Sequence, residues 1–267
     1  MKSLTAKGKY TNACIKEKIS TLATIRKQDD ALYQVRNFIA VYNTNLEEAL
    51  NPGQFLFVDE SMNQWLGKDA PFIKKIPRKP HPVGQEFKIV ADAETSIILR
   101  LDLSGENKER EYDDIYGANG KTIATVSRLA KPWFGSGRTI IADSWFGSPR
   151  MIQSMKEHGF YSIMAVKKRR FWPKEVPGDD IMTSREDELG ACYTLEHYDE
   201  QGRPDGMYLC ALRDLKPKLL ITNCARTTTS TIPIKRYFDG EKRLFHRPLV
   251  YDEYEKAKGM SIMWALS

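Results

Sequence analysis

Two aspartates close two apolar runs in this chain. Asp59 ends Phe55-Leu56-Phe57-Val58-Asp59, and Asp143 ends Thr139-Ile140-Ile141-Ala142-Asp143. Each reads as a strand that delivers a carboxylate at its C-terminal end, where α/β sheets bind their ligands. Two carboxylates on neighbouring strands repel, and a divalent cation relieves that repulsion. Phosphoryl transfer to or from a nucleic acid uses such a site, with two metal ions about 4 Å apart on the attacking and leaving oxygens. Magnesium suits it, because it takes carboxylate oxygens and keeps several waters. The two aspartates stand 84 residues apart, so only a fold brings them together. An aspartate after a strand is also an ordinary turn or cap residue, and spacing alone does not separate the two readings.

Basic residues flank both positions. Lys74, Lys75, Arg78 and Lys79 follow the first, and Lys167, Lys168, Arg169 and Arg170 follow the second. A third cluster lies in residues 1–27, with seven Lys or Arg against Glu17 alone. Such patches serve as solvated surface or as phosphate contacts. Trp145, Phe146, Phe171 and Trp172 add aromatic faces that could stack on unpaired bases, with core packing the competing role for the first two.

The elements that would hold these residues follow from periodicity. Leu32, Val35, Phe38, Ile39 and Tyr42 recur at helical steps, which predicts an amphipathic helix over 31–50, broken by Asn51-Pro52-Gly53. The run to Asp59 is a buried strand, residues 69–84 are a proline-rich extended loop, and 86–94 with 96–104 form a hairpin. A hydrophilic loop follows, then a helix over 122–130 and the strand 138–146. A helix over 149–158 is capped by Ser148, with Pro149 in its first turn and Gly159 as its stop. The strand 160–168 runs into the second basic cluster. Beyond it come three strands, CYTLEHYDE, MYLCALRD and PKLLITNCA. This order predicts an α/β domain with a mixed sheet. It divides the chain into a basic segment (1–30), a core region (31–170), a β-rich insertion (171–245) and a return to the core (246–267).

The bulk numbers set outer bounds. The chain has 267 residues, 41% of them hydrophobic, and a net charge of +6. A sizeable core is available, and a polyanionic partner is permitted. No apolar run of about 18 or more residues is present, so no membrane span is expected, and the N-terminus lacks a signal-peptide core. Cys14, Cys192, Cys210 and Cys224 form no C-x-x-C pair. They suggest neither a zinc knuckle nor a disulfide framework, which favours a reducing intracellular compartment.

The residues around the aspartates carry a family resemblance. Val58-Asp59-Glu60-Ser61-Met62, Gly67-Lys68, Ile76-Pro77-Arg78-Lys79-Pro80, Gly84 and Phe87-Lys88 resemble the first catalytic block of piggyBac transposases and their domesticated derivatives. Ala142-Asp143-Ser144-Trp145-Phe146 resembles the second. The resemblance covers about residues 31–260. It implies a ribonuclease H-like mixed sheet flanked by helices, cut-and-paste DNA transposition through three metal-binding aspartates, and nuclear residence. Asp59 and Asp143 would be the first two metal ligands. The third block reads approximately Y-x-x-x-x-G-x-V-D. Tyr254, Lys258, Gly259 and Met260 fit its approach, and Ser261-Ile262 stand where Val-Asp is expected. The family's C-terminal helices and cysteine-rich module are not found after it, as in a truncated copy.

Three functions compete. The first is an inactive transposase-derived domain that still binds DNA, with Lys74, Lys75, Arg78, Lys79, Lys167, Lys168, Arg169, Arg170 and Trp172 as contacts and Mg2+ weakly held or vestigial. The second is an active magnesium-dependent strand transferase or nuclease with a substitute third acid, drawn from Asp252, Glu253 or Glu255. Glu60 is a poor substitute, since it should point to the opposite face of its strand from Asp59. The third is a non-catalytic interaction protein or transposon remnant. A homodimer is possible, and no small-molecule cofactor is expected.

Overall fold

The computed structural model describes residues 32, 35–65, 71–77, 79, 81–103, 120–166, 190–215, 217–238 and 240–265, the last six as backbone only. Its centre is a mixed sheet of nine strands. In chain order these are β1 (Phe55–Gln64), β2 (Ile73–Lys75), β3 (Val83–Asp92), β4 (Ile98–Leu103), β5 (Thr139–Ala142), β6 (Tyr161–Ala165), β7 (Cys192–Tyr198), β8 (Pro204–Arg213) and β9 (Pro217–Thr222). β1 runs antiparallel to β3 and parallel to β5, and β5 runs parallel to β6. β2 and β4 both pair with the outer edge of β3. A separate hairpin of β10 (Ile234–Phe238) and β11 (Glu241–Phe245) stands off the sheet.

Both faces of the centre are covered, which is why β1, β5 and β6 are apolar on consecutive residues and do not alternate. On one face Leu56, Val58, Ile140, Ala142 and Met164 pack against helices α2 (Lys121–Ala130) and α3 (Pro149–Glu157). On the other, Phe57, Ile141 and Ile163 pack against Val250, Tyr251, Tyr254 and Ala257 of helix α4 (Leu249–Ala265). The result is a helix–sheet–helix sandwich with two cores divided by the sheet.

The predicted caps of α3 are present. Ser148 accepts a hydrogen bond from the Met151 N–H at 3.2 Å, Pro149 opens the first turn, and Gly159 leaves at φ 77°. Helix α1 (Arg36–Ala49) also forms, but its docking differs from the expected apolar stripe. Of the expected stripe, Leu32 is buried and Ile39 and Tyr42 are half-buried, but Phe38 is 66% exposed and Val35 is exposed as well. The helix is also held by polar groups on the open edge of β4. Tyr42 donates to the Ile98 carbonyl at 2.7 Å, while Asn43 accepts from the Leu101 N–H at 2.8 Å and donates to its carbonyl at 3.0 Å. These bonds satisfy strand-edge groups that would otherwise be left open.

Residues 171–245 were expected to form an inserted β-rich subdomain. From residue 190 onward the stretch is indeed rich in strands, but β9 pairs antiparallel with β6 and β8 with β9, so three of its strands extend the core sheet. The segment expected as a loop at 69–84 contributes the short edge strand β2.

Candidate active site

The register of two parallel strands builds the site. Val58 lies opposite Ala142, the last pair of β1 and β5. Asp59 and Asp143 are the next residues on each strand, so they emerge side by side, about 4.8 Å apart at the backbone. Alternation puts both on the face shared with Phe57, Ile141 and α4. Both are partly buried. The fold brings these two residues of the sequence analysis next to each other.

Electrostatics reports the same proximity. Burial pushes the Asp59 carboxyl above its ordinary value, and the charges of Asp143 and Glu60 push the same way. The Glu60 N–H and the Lys79 ammonium oppose them. Tyr254 of α4 closes the site from the helix side. Burial raises its phenol, and the charges of Asp143 and Asp59 raise it further. The Asp143 side chain accepts the Trp145 N–H at 2.7 Å, and its carbonyl takes the N–H groups of Phe146 and Gly147. It therefore anchors a turn as well as facing Asp59. Gly147 lets that turn lie against β6, since a Cβ there would stand 2.0 Å from the Ala165 carbonyl oxygen.

Glu60 points away, as the strand alternation requires. It pairs with Lys88 at 2.5 Å on the opposite face, and Lys88 also reaches Glu86 at 3.4 Å. The Lys88 ammonium lies 5.4 Å from the centre of the exposed Trp145 ring. Phe146 is buried in the core and takes the packing role.

The three acids of α4 are directed elsewhere. Asp252 bonds Arg247 at 2.7 Å, and Glu253 pairs with Arg226 at 3.0 Å. Glu255 meets Lys218 at 2.7 Å, Arg247 at 2.7 Å and Arg236 at 3.3 Å. This network runs on to Asp214, 2% exposed, which Arg236 and Lys218 approach at 3.0 and 2.7 Å. Burial alone would raise the Asp214 carboxyl, but hydrogen bonds from Arg236, Lys218 and the Leu215 N–H hold it at about 2. Among the described residues no group of three His, Cys, Asp or Glu is placed to hold a metal ion. Two hard oxygen donors at Asp59 and Asp143 fit a single Mg2+ or Mn2+ completed by water.

The basic residues singled out from the sequence divide in use. Lys75 is exposed on β2. Lys74 is ion-paired with the buried Glu86. Lys79 donates to the Glu60 carbonyl at 3.1 Å, beside Asp59. Arg78, Lys167, Lys168, Arg169, Arg170, Phe171, Trp172 and residues 1–30 lie outside the described residues. Sequence reasoning gave Tyr254 no place in the site and Lys79 only a phosphate. Their signal was present: Tyr254 opens the third motif, and Lys79 belongs to the first.

A strand order of β4-β3-β1-β5-β6, with helices on both faces and Asp59 and Asp143 directly after the last β1–β5 pair, defines a ribonuclease H-like α/β domain. The chain matches the family model described as Transposase IS4 over residues 12–261, and it belongs to that family. No curated protein matches it. Among solved structures it resembles a piggyBac transposase synaptic complex with hairpin DNA, determined by cryo-EM, with a TM-score of 0.66 at 20% identity. The match covers 89% of this chain and 45% of that one, so the chain spans under half of that transposase. The likeness is one of fold. Among the described residues no helix is long and apolar enough to cross a membrane.

Proposed function

We propose that this chain is a piggyBac-type transposase-derived domain that binds DNA and has little or no strand-cleaving activity. The observation that carries the reading is the side-by-side placement of Asp59 and Asp143 just past the last β1–β5 pair, with no third acid beside them among the described residues. Ile262 stands where the resemblance expects the third aspartate, and Asp252, Glu253 and Glu255 are engaged with other cations.

Asp59 and Asp143 would hold one divalent cation, with Tyr254 walling the site on the helix side. A bound metal would supply charge neutralisation at a phosphate oxygen. Two carboxylates leave a second ion underligated, and loss of one member of a catalytic unit can lower rates by several orders of magnitude. DNA affinity would come from backbone charge, with Lys75 exposed on edge strand β2 and Arg78, Lys167, Lys168, Arg169 and Arg170 as further phosphate contacts. Nuclear residence and a homodimer belong to the same reading.

The test is cleavage of a labelled DNA duplex with Mg2+ or Mn2+. The wild-type chain should be silent. Ile262→Asp should tighten Mn2+ binding at least about tenfold by adding a carboxylate. Robust cleavage by the wild type, abolished in Asp143→Ala, would overturn the inactive reading and favour an active nuclease.

A further inference from the structure

The hairpin of β10 and β11 has two unlike faces. Along β10, exposure alternates: Lys235 and Tyr237 are exposed, and Ile234, Arg236 and Phe238 are half-buried. Cross-strand register sets Lys235 opposite Leu244 and Tyr237 opposite Lys242. These four side chains make one outward face, with Tyr237 62% and Leu244 59% exposed. The Lys235 ammonium lies 4.9 Å from the Tyr237 ring centre, and neither Lys235 nor Lys242 meets a carboxylate of the described residues.

The other face fixes the hairpin to the body. Arg236 reaches Asp214 at 3.0 Å and Glu255 at 3.3 Å, so it ties β10 to the β8–β9 turn and to α4. Phe245 at the end of β11 is buried in the same core cluster as Tyr254. Gly240, at φ 79°, lies in the turn between the strands. The ribbon is therefore held to the helix that walls the Asp59–Asp143 site, with its basic and aromatic side facing out.

We propose that this outward face, Lys235, Tyr237, Lys242 and Leu244, is a DNA-binding surface separate from the one beside the aspartates. A two-stranded ribbon is narrow enough to enter a groove of duplex DNA. The two lysines supply phosphate contacts, and the ring and the leucine supply apolar contact with sugars or bases. Two cations with no carboxylate partner among the described residues favour a polyanion over a second protein chain. The inference rests on the reading of this chain as a DNA-binding transposase domain.

The test uses the whole chain and a fluorescently labelled random-sequence duplex, with affinity measured against NaCl concentration. The double variant Lys235→Gln/Lys242→Gln should make the slope of log K on log salt shallower by about 1.8, at about 0.9 per lost phosphate contact. Tyr237→Ala should weaken binding with the slope unchanged. All three positions are exposed, so circular dichroism should match the wild type. If the wild type binds and the double variant keeps its slope and affinity, the hairpin surface is refuted while the domain reading stands. If the wild type shows no salt-dependent binding, both fall. A change in sedimentation without a change in DNA affinity would mark the face as a contact between copies and overturn the proposal.

Discussion

Val58 lies opposite Ala142 in the parallel register of β1 with β5, and the two carboxylates that follow them are neighbours for that reason. No local sequence motif could achieve this across the separation between them. A shift of either strand by one residue would turn its aspartate to the face of α2 and α3. The apolar runs before Asp59 and Asp143 are thus the positioning elements of the site. Asp59 also feels its setting, since burial and the charge of Asp143 both disfavour its ionised form.

Neutralising that carboxylate should stabilise the metal-free protein. Asp59→Asn is expected to raise the melting temperature in chelator by roughly 2–4 °C, equivalent to about 1 kcal/mol. Mn2+ should raise the melting temperature of the wild type and leave that of the variant unchanged, because only the former offers paired carboxylates. Differential scanning calorimetry with and without metal reads both. Equal metal responses in the two proteins would remove the cation from this site.

Acid should loosen the junction of α4 with the hairpin. The Asp214 carboxyl is held at about 2 in the folded chain, below its unfolded value of about 3.9. Its contribution is therefore complete above about pH 4 and is lost as the pH falls through about 2. Asp214→Asn leaves Arg236 facing a neutral amide and should cost about 3 kcal/mol near pH 7. Urea melts across this range should show the gap between variant and wild type closing toward pH 2. A gap that stays constant with pH would assign the loss to packing alone.

Two adjacent lysines should separate stability from DNA affinity. Lys74 pairs with the buried Glu86, which otherwise keeps Lys88 at 3.4 Å. Lys74→Gln should lower stability by about 1–2 kcal/mol. Lys75 is exposed, so Lys75→Gln should change stability by less than about 0.5 kcal/mol. It should also reduce the salt slope of DNA binding by about 0.9. Reversed roles in melting and binding assays would show that β2 is misassigned as a phosphate contact.

The turn after Asp143 depends on a missing side chain. Gly147→Ala would press a Cβ against the Ala165 carbonyl, and both groups belong to backbone that cannot move alone. The expected cost is about 2–3 kcal/mol, with weakened Mn2+ binding because the Asp143 turn shifts. Intact stability in the variant would mean that the turn has room to spare.

Much of this arrangement was legible in the sequence, for physical reasons that vary by element. The strands carrying Asp59 and Asp143 were readable because both faces are buried and the apolar run is unbroken. Helix α3 was readable because Ser148, Pro149 and Gly159 each act locally. The orientation of Glu60 followed from alternation. What escaped depends on distant partners. Edge strand β2 contributes mainly backbone pairing, so its composition resembles a loop. The β10–β11 ribbon carries charge on both faces, so the few apolar residues of its inner side, Ile234, Phe238 and Phe245, do not stand out as a pattern. Helix α1 suggested an apolar docking face, but it is attached through Tyr42 and Asn43 to strand-edge groups that no local pattern reveals. The engagement of Asp252, Glu253 and Glu255 with Arg247, Arg226 and Lys218 likewise needed the tertiary fold.

The pairing of β9 with β6 bears on how such a domain can evolve. Excising the segment that ends in β9 would strip the flank from Ile163 and Met164, and it would leave Tyr251 without the Cys210 and Lys218 carbonyls, 2.7 and 2.9 Å from its hydroxyl. The remnant would be an open, sticky ribbon edge prone to self-association. Lineages carrying this architecture should therefore tolerate drift in the outlying hairpin far more readily than deletion of the strands behind it.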